Sequence, residues 1–490
     1  MSRLNVYLQS KPQEEWSSAA IAYLAAQEQI DTILPAVSAH IDNELRDQRS
    51  YVKLIASENY CSYPVQLAMG NFLTDKYAEG FAFHRFYAGC ENVDALEALA
   101  TEELKSLFSA EAAYVQPHSG ADANLVAFWA ILTSKIQTPE IERLGKKSLE
   151  ELTDQEFERV RQLMINQKVL GLSLRSGGHL THGYRHNLSA KMMQAIAYDV
   201  DPKTELIDYS VIAEIAKREK PTILLAGYSS YSRLIDFAKM KEIATSVGAV
   251  LMVDMAHFSG LVAGKVFQGD YNPIPFADIV TSTTHKTLRG PRGGFVLCKK
   301  EYEENVNKGC PLVLGGPLPH VIAAKAVAFK EALEPSFTVY AHKIVENSQA
   351  LAEALRKKGL RIVANGTDNH LLVIDLSSLG LTGRQGEQAL RQGHLTVNRN
   401  AIPFDPNGAW YTSGLRLGTP AITTLGMGIH EMEELADIIF DLLSHSKPMF
   451  SSKTGGASKA QVQVDAQAIL RAKSRVPALL SQFPLYPELP

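Results

Sequence analysis

Ile279-Val280-Thr281-Ser282-Thr283-Thr284-His285-Lys286-Thr287, with Gly290-Pro291-Arg292-Gly293-Gly294 just beyond, is the stretch from which the rest of the chain can be read. A short apolar run gives way to small hydroxylated residues, a single lysine and a glycine-rich exit. An amine becomes a nucleophile toward an aldehyde when its pKa is drawn down and its neighbours are small enough to admit a ring. Lys286 in that setting points to a Schiff-base lysine for pyridoxal phosphate. Taken alone, the same residues also fit a surface lysine after a strand.

Working outward from Lys286, short apolar runs alternate with helical segments between about 51 and 340. The runs are Thr222-Ile223-Leu224-Leu225, Ala249-Val250-Leu251-Met252-Val253, Ile279-Val280 and Phe295-Val296-Leu297, and Asp236 to Val247 reads as helix. This is the pattern of a mostly parallel sheet flanked by helices, an α/β fold. Residues 135–168 interrupt it as a charge-rich helical insertion, in which Thr153 and Glu156 form a capping-box pair. A second, smaller α/β unit is expected over 341–449: a helix from Val345 to Lys357, a strand from Leu371 to Leu376, and a closing helix from Glu434 to Ser444. In that last helix Leu435, Ile438, Ile439 and Leu442 share one face. Residues 1–50 read as a helical arm that packs on something else. Residues 450–490 read as a tail, linker-like over 450–463, with a helix near 464–473.

Three other stretches belong with Lys286. Asp254, in Val253-Asp254-Met255-Ala256-His257, ends a strand, where a carboxylate needs a cationic partner. A protonated pyridine nitrogen would serve, and a structural cap on the next turn is the alternative. Ser119, Gly120 and Ala121 lie between a strand-like Ala112-Ala113-Tyr114-Val115 and a helix expected to start near Asp122. They could cradle a phosphate on backbone N–H groups, or form an ordinary turn. Arg416, among small residues in Thr412-Ser413-Gly414-Leu415-Arg416-Leu417-Gly418, could fork onto an amino-acid carboxylate or tie two domains by a salt bridge. His179, His182 and His186 suggest a metal, but glycines break the helix that ligation would use and no acidic residue accompanies them in sequence. A histidine stacked on the cofactor ring is preferred, and no metal is expected.

The chain has 490 residues, 46% hydrophobic and 21% charged, with 49 basic and 53 acidic residues and a net charge of −4. No basic excess points to nucleic acid. No apolar run approaches the ~18 residues of a membrane span, and no secretory signal is visible at the start. Four cysteines without a Cys-x-x-Cys pair read as reduced thiols, so the expected location is the cytoplasm. Gly260-Leu261-Val262-Ala263-Gly264-Lys265 is one spacer short of a phosphate loop, and no Gly-x-Gly-x-x-Gly supports a dinucleotide site.

In this order the motifs resemble those of serine hydroxymethyltransferases. The resemblance runs through most of residues 20–445 and rests on Leu54-Ile55-Ala56-Ser57-Glu58-Asn59-Tyr60, Lys76-Tyr77-Ala78-Glu79-Gly80, Val253 to His257, Thr283 to Thr287 with Gly290 to Gly294, and Thr367-Asp368-Asn369-His370. It implies a fold-type I pyridoxal-phosphate enzyme with a mixed, mostly parallel seven-stranded sheet. The implied assembly is a homodimer with shared active sites, or a tetramer. The implied reaction is transfer of the hydroxymethyl carbon of L-serine to tetrahydrofolate, giving glycine and 5,10-methylenetetrahydrofolate.

Roles follow by position. Lys286 would carry the cofactor, Asp254 would face its ring nitrogen, and His179 would stack on the ring. His257 and Ser229 would lie near the phenolic oxygen. Ser119, Gly120 and Ala121 would take the phosphate, with Tyr77 and Gly316 coming from the partner. Ser57, Tyr87 and Arg416 would hold the amino acid, and Glu79 would be the main acid–base group, supplied across the interface ahead of His257 and His179. Leu174, Gly178 and Asn400 match folate contacts. The chain departs from the family pattern at Phe86, at Cys310-Pro311-Leu312-Val313-Leu314, at Arg175-Ser176 and at Phe404. The last two fall near the expected folate site. A folate-independent aldolase or racemase would share the same carbanion, and a non-catalytic binding protein would not need Lys286, Asp254, Glu79 and Arg416 together.

Overall fold

The computed structural model describes residues 2–451 and 455–489. Seven strands form the large sheet: β1 Ala112–Tyr114, β2 Lys168–Leu172, β3 Gln194–Tyr198, β4 Ile223–Gly227, β5 Val250–Asp254, β6 Ile279–Thr283 and β7 Gly294–Cys298. Their spatial order is β1-β7-β6-β5-β4-β2-β3. Only β7 runs against its neighbours, pairing antiparallel with both β1 and β6. The other pairings are parallel. This is the mixed, mostly parallel sheet expected of the α/β pattern.

The central strands β4, β5 and β6 are buried along their whole length. Helices cover both faces, so these strands read as continuous apolar runs. One face packs Leu224, Leu251, Val253 and Phe295. The other packs Ile223, Met252, Ile279 and Val296. The helix Phe237–Val247 shows how the connections are punctuated. Asp236 caps its start by accepting from the Lys239 amide, and Gly248, at φ 73°, ends it in the left-handed conformation.

A smaller sheet carries β8 Arg361–Ile362, β9 Leu371–Asp375, β10 Asn398–Asn400 and β11 Gly414–Gly418, ordered β8-β9-β11-β10 and antiparallel throughout. Alternation along β11 sends Leu415 and Leu417 into the core beneath the helix Ile429–Ser444. Arg416 faces the other way. The helix face of Leu435, Ile438, Ile439 and Leu442 is buried as its spacing requires.

At the start, helices Arg3–Ser10, Ser18–Asp31 and Pro35–Ser50 pack on one another around Leu24, yet Ile33, Leu34 and Val37 stand exposed. The insertion folds as helices Thr138–Arg143 and Asp154–Ile165, the second opened by the Thr153–Glu156 capping box. The linker reading of 450–463 is corrected. Strands β12 Ser446–Ser451 and β13 Gly456–Val464 form an antiparallel hairpin there. Gln385 donates to the carbonyls of Ser458 and Gln461, and Val462 and Val464 are buried. The Ser/Gly-rich composition of 451–458 hid that alternation. The helix that follows is longer than its sequence pattern suggested, running Ala466–Leu480. Beyond it Tyr486 donates to the Cys61 carbonyl at 2.8 Å and accepts from Gln66 at 2.7 Å. No described helix is long and apolar enough to cross a membrane.

Candidate active site

The carboxyl ends of the parallel strands converge on one cavity of about 430 Å³. In open α/β sheets this end is where ligands sit. Ser57, Ser119, His179, Asp254, Lys286 and Arg416 all line it, with Gly120, Ala121, Ser229 and His257. Ten of the expected site residues are therefore gathered from seven chain segments.

Asp254 ends β5 and is 6% exposed. Burial would raise its pKa, but a hydrogen bond from His182, the nearby His179 and a bond from Asn124 outweigh it and hold the carboxyl well below the usual range. His182 Nε2 lies 3.1 Å and Asn124 Nδ2 2.9 Å from Oδ2. The Ala256 amide donates to Oδ1 at 3.0 Å. Asn124 is itself fixed: it donates to Thr181 at 2.7 Å and accepts from Thr281 at 2.5 Å. Thr181 then meets His179 Nδ1 at 2.7 Å. Asn124 and Thr181 carry no signal in the sequence reading, and His182 enters it only among the three histidines weighed for a metal.

The argument against a metal, that no acidic residue accompanies the histidines, holds along the chain but not in space. His179, His182 and Asp254 place one ligand atom each within 4.8 Å of one another. The His182–Asp254 hydrogen bond accounts for that closeness, and nothing beyond it points to an ion.

Lys286 lies just past β6, its Nζ 3.3 Å from Thr283 Oγ1. Burial draws its pKa down to about 8, against the pull of Asp254, with Arg416 and Arg292 adding to the drop. Burial likewise holds His179 near 4 and His257 well below its ordinary value, so both imidazoles are neutral at pH 7. His257 Nδ1 is 3.1 Å from His370 Nε2, a buried pair contributed by the Thr367 to His370 motif.

The helix after β1 begins at Gly120, two residues before the expected Asp122, with Ser119 as its N-cap. Ser119 Oγ accepts from the Asp122 amide at 3.1 Å. The Gly120 and Ala121 amides, ahead of the first intrahelical bond, are left free for an anion. A side chain at Gly120 would put its Cβ 2.7 Å from Thr283 Cγ2, on the strand that leads to Lys286. Glycine thus lets the helix start against that strand.

Arg416 is 8% exposed and makes no ion pair among the described residues, which removes the interdomain salt bridge. Nε donates to Asn398 at 3.1 Å, and Nη1 to the Ser229 carbonyl at 2.6 Å and hydroxyl at 3.1 Å. Nη2 has no partner among the described residues. Burial lowers the guanidinium only to about 10, so it stays charged. A buried cation without an anion, on the wall of a cavity, can receive a carboxylate.

Other expected site residues stand elsewhere. Tyr77 and Tyr87 pack edge to face at 4.9 Å, both exposed, and Gly316 lies against the Tyr77 ring. Glu79 sits in the same segment. None of the four lines the cavity that holds Lys286. Tyr87, expected with Ser57 and Arg416 on the amino acid, is with Tyr77 instead. Leu174, Gly178 and Asn400 also lie outside the cavity lining. Two departures from the family pattern meet there: the Arg175 guanidinium stacks 5.8 Å from the Phe404 ring and pairs with Asp199 at 2.7 Å.

The donor set fits pyridoxal phosphate. It offers an amine with a lowered pKa, an ionised buried carboxylate, a neutral flat histidine and a glycine-bearing helix N-terminus around one space. A family model for serine hydroxymethyltransferase matches residues 30–140 and 157–439. A serine hydroxymethyltransferase of Treponema pallidum is 56% identical over 488 residues, covering 100% of this chain and 85% of that protein. One from Chlamydia trachomatis serovar D is 55% identical over 490 residues, covering 100% of this chain and 98% of its own length. One from Salinispora tropica is 54% identical over 473 residues, covering 96% and 99%. The gathered cavity and these full-length likenesses agree, and the chain belongs to the serine hydroxymethyltransferase family.

Proposed function

We propose the following division of labour for the serine hydroxymethyltransferase activity of this chain, in which the hydroxymethyl carbon of L-serine passes to tetrahydrofolate and glycine remains. Pyridoxal phosphate, when bound, supplies the aldehyde that takes up the amino group and a ring that accepts the electron pair left as Cα–Cβ breaks. Lys286 would be the residue that holds the cofactor's aldehyde. Its lowered pKa gives it a useful unprotonated fraction near neutral pH. Asp254, kept ionised by His182 and Asn124, holds a proton on the ring nitrogen. His179 would stack on the ring, and His257 and Ser229 would lie near its phenolic oxygen. Ser119, Gly120 and Ala121 bind the phosphate. Arg416 and Ser57 grip the substrate carboxylate and fix which Cα bond is broken.

Tyr77, Glu79, Tyr87 and Gly316 form a group of their own outside the Lys286 cavity, as expected if they complete the site of a second subunit. In that homodimer Glu79 exchanges a proton with the serine hydroxyl or with the folate. Leu174, Gly178 and Asn400 face the folate. The observation that carries this reading is the buried, unpaired Arg416 sharing a cavity with Lys286 and Asp254. It is tested by the visible spectrum of the holoenzyme with glycine, before and after tetrahydrofolate. A strong long-wavelength band that needs both ligands supports the transferase roles. A response to glycine that ignores folate would leave an aldolase or racemase.

A further inference from the structure

Lys325 lies on the helix Pro319–Ala332, is 1% exposed, and belongs to none of the motifs above. Its Nζ donates to three backbone carbonyls: Val115 at 2.5 Å, Pro117 at 2.9 Å and Gly294 at 2.9 Å. The first two follow β1 and lead to Ser119. The third opens β7, whose neighbour Gly293 accepts from the Thr284 amide at 3.1 Å, two residues before Lys286. One side chain therefore joins the loop before the helix Gly120–Leu132 to the loop that carries Lys286.

Three acceptors match the three N–H groups of an ammonium, whereas a neutral amine would leave one carbonyl bare. Burial draws the amine down to about 7, with Glu97 and Asp122 pulling the other way. Neither acid bonds to it. Glu97 is engaged by Arg85 and Gln116, and Asp122 by Ser119. A buried cation without a bonded anion is a poor choice for stability, since an apolar side chain of like volume would serve as well or better. Of the glycine pair in the exit of the lysine motif, Gly293 makes room for Lys325 and Gly294 for the Ser119 backbone. A Cβ at Gly293 would lie 2.5 Å from Lys325 Cε, and one at Gly294 2.3 Å from the Ser119 carbonyl.

We infer that Lys325 is a positioning residue for the cofactor phosphate: it fixes the Val115 and Pro117 carbonyls so that the amides following Ser119 face the dianion, and it ties that loop to the one bearing Lys286. The inference rests on the phosphate lying at Ser119, Gly120 and Ala121. The uncompensated charge beneath the helix N-terminus adds to the positive potential that the amides present.

The test is Lys325→Met in the full chain freed of cofactor, titrated with pyridoxal phosphate and, separately, with pyridoxal, which has the aldehyde and ring but no phosphate. Loss of an interaction with a charged group predicts an affinity for pyridoxal phosphate weaker by about 10- to 100-fold. The affinity for pyridoxal stays within about twofold, since no charged contact to it is removed. Unchanged binding of pyridoxal phosphate, or an equal fall for both ligands, overturns the inference. Ser119→Ala separates the two claims. If it leaves the preference for the phosphorylated ligand intact, the placement of the phosphate fails. If it lowers that preference and Lys325→Met does not, only the role of Lys325 fails. Should Lys325→Met not fold, Lys325→Gln, which still donates two N–H groups, is read by the same comparison.

Discussion

Arg416→Lys separates substrate recognition from structural support. The guanidinium is buried, holds Asn398 and Ser229 through Nε and Nη1, and keeps Nη2 for a ligand. Lysine retains a charge but not the planar fork, so at least one charge-assisted hydrogen bond to the substrate carboxylate is lost, about 1.5–3 kcal/mol. At 1.36 kcal/mol per tenfold this is a fall of roughly 10- to 150-fold in kcat/KM for L-serine. Glycine affinity, followed by the visible spectrum of the holoenzyme, falls by the same factor. Hydroxylamine attacks the bound aldehyde with no carboxylate to be gripped, so its reaction rate serves as the control and stays at the wild-type value. Unchanged glycine affinity, or an equal slowing of the hydroxylamine reaction, would refute the carboxylate role and make Arg416 a support for Ser229 and Asn398.

Capture of pyridoxal phosphate by the cofactor-free chain should accelerate with pH through about 8, the pKa to which burial lowers Lys286; stopped-flow absorbance measures it, and a midpoint near the free value of 10.5 counts against the assignment. The sign for stability follows. Between about 8 and 10.5 the unfolded chain binds the lysine proton and the folded one does not, so this group makes the cofactor-free protein more stable as pH rises across that window, read by denaturant melts. Asn124→Leu removes a donor from Asp254 and the acceptor of Thr281, and should cost about 1–3 kcal/mol of stability together with a shifted absorption maximum of the bound cofactor. Mixing Glu79→Gln with Lys286→Ala, each inactive alone, should restore about a quarter of the wild-type sites if Glu79 serves the neighbouring subunit, because half the dimers are hybrids with one intact site. No recovery after subunit exchange would place Glu79 with its own Lys286.

Much of this was legible in the sequence because the chemistry lies at strand ends. The apolar runs that mark β4, β5 and β6 end at Gly227, Asp254 and Thr283, so the residues just beyond them had to share one end of the sheet. Arg416 could be singled out by its small neighbours, and its orientation follows from Leu415 and Leu417 filling the core. Asn124 and Thr181 were not legible, and His182 was read only as part of a histidine cluster, not as a partner of Asp254. Their task is to serve Asp254, which is 130 residues from Asn124 along the chain. No local pattern distinguishes them from ordinary helix and turn residues. Tyr87 stands apart from Ser57 for a related reason: the two lie in different motifs, and a shared role does not say which cavity each loop faces. The hairpin at 446–464 was hidden because the Ser/Gly turn dominates its composition, while only Val462 and Val464 show the alternation.

The tail also sets the order in which this molecule can be completed. Asn59 donates to the backbone carbonyl of Lys286 at 2.9 Å, and the segment after it is pinned by Tyr486, 425 residues later than Cys61. At synthesis rates of 5–20 residues per second, roughly 20–85 s separate the emergence of the two. Late in that interval the segment beside the catalytic lysine has its ties from Asn59 to Tyr340 and Thr424 within reach but lacks the one from Tyr486. Synthesis from the N-terminus therefore delivers residues 59–61 long before the tyrosine that fastens them, and a chain cut just ahead of Tyr486 would keep every residue of the Lys286 cavity and lose that latch.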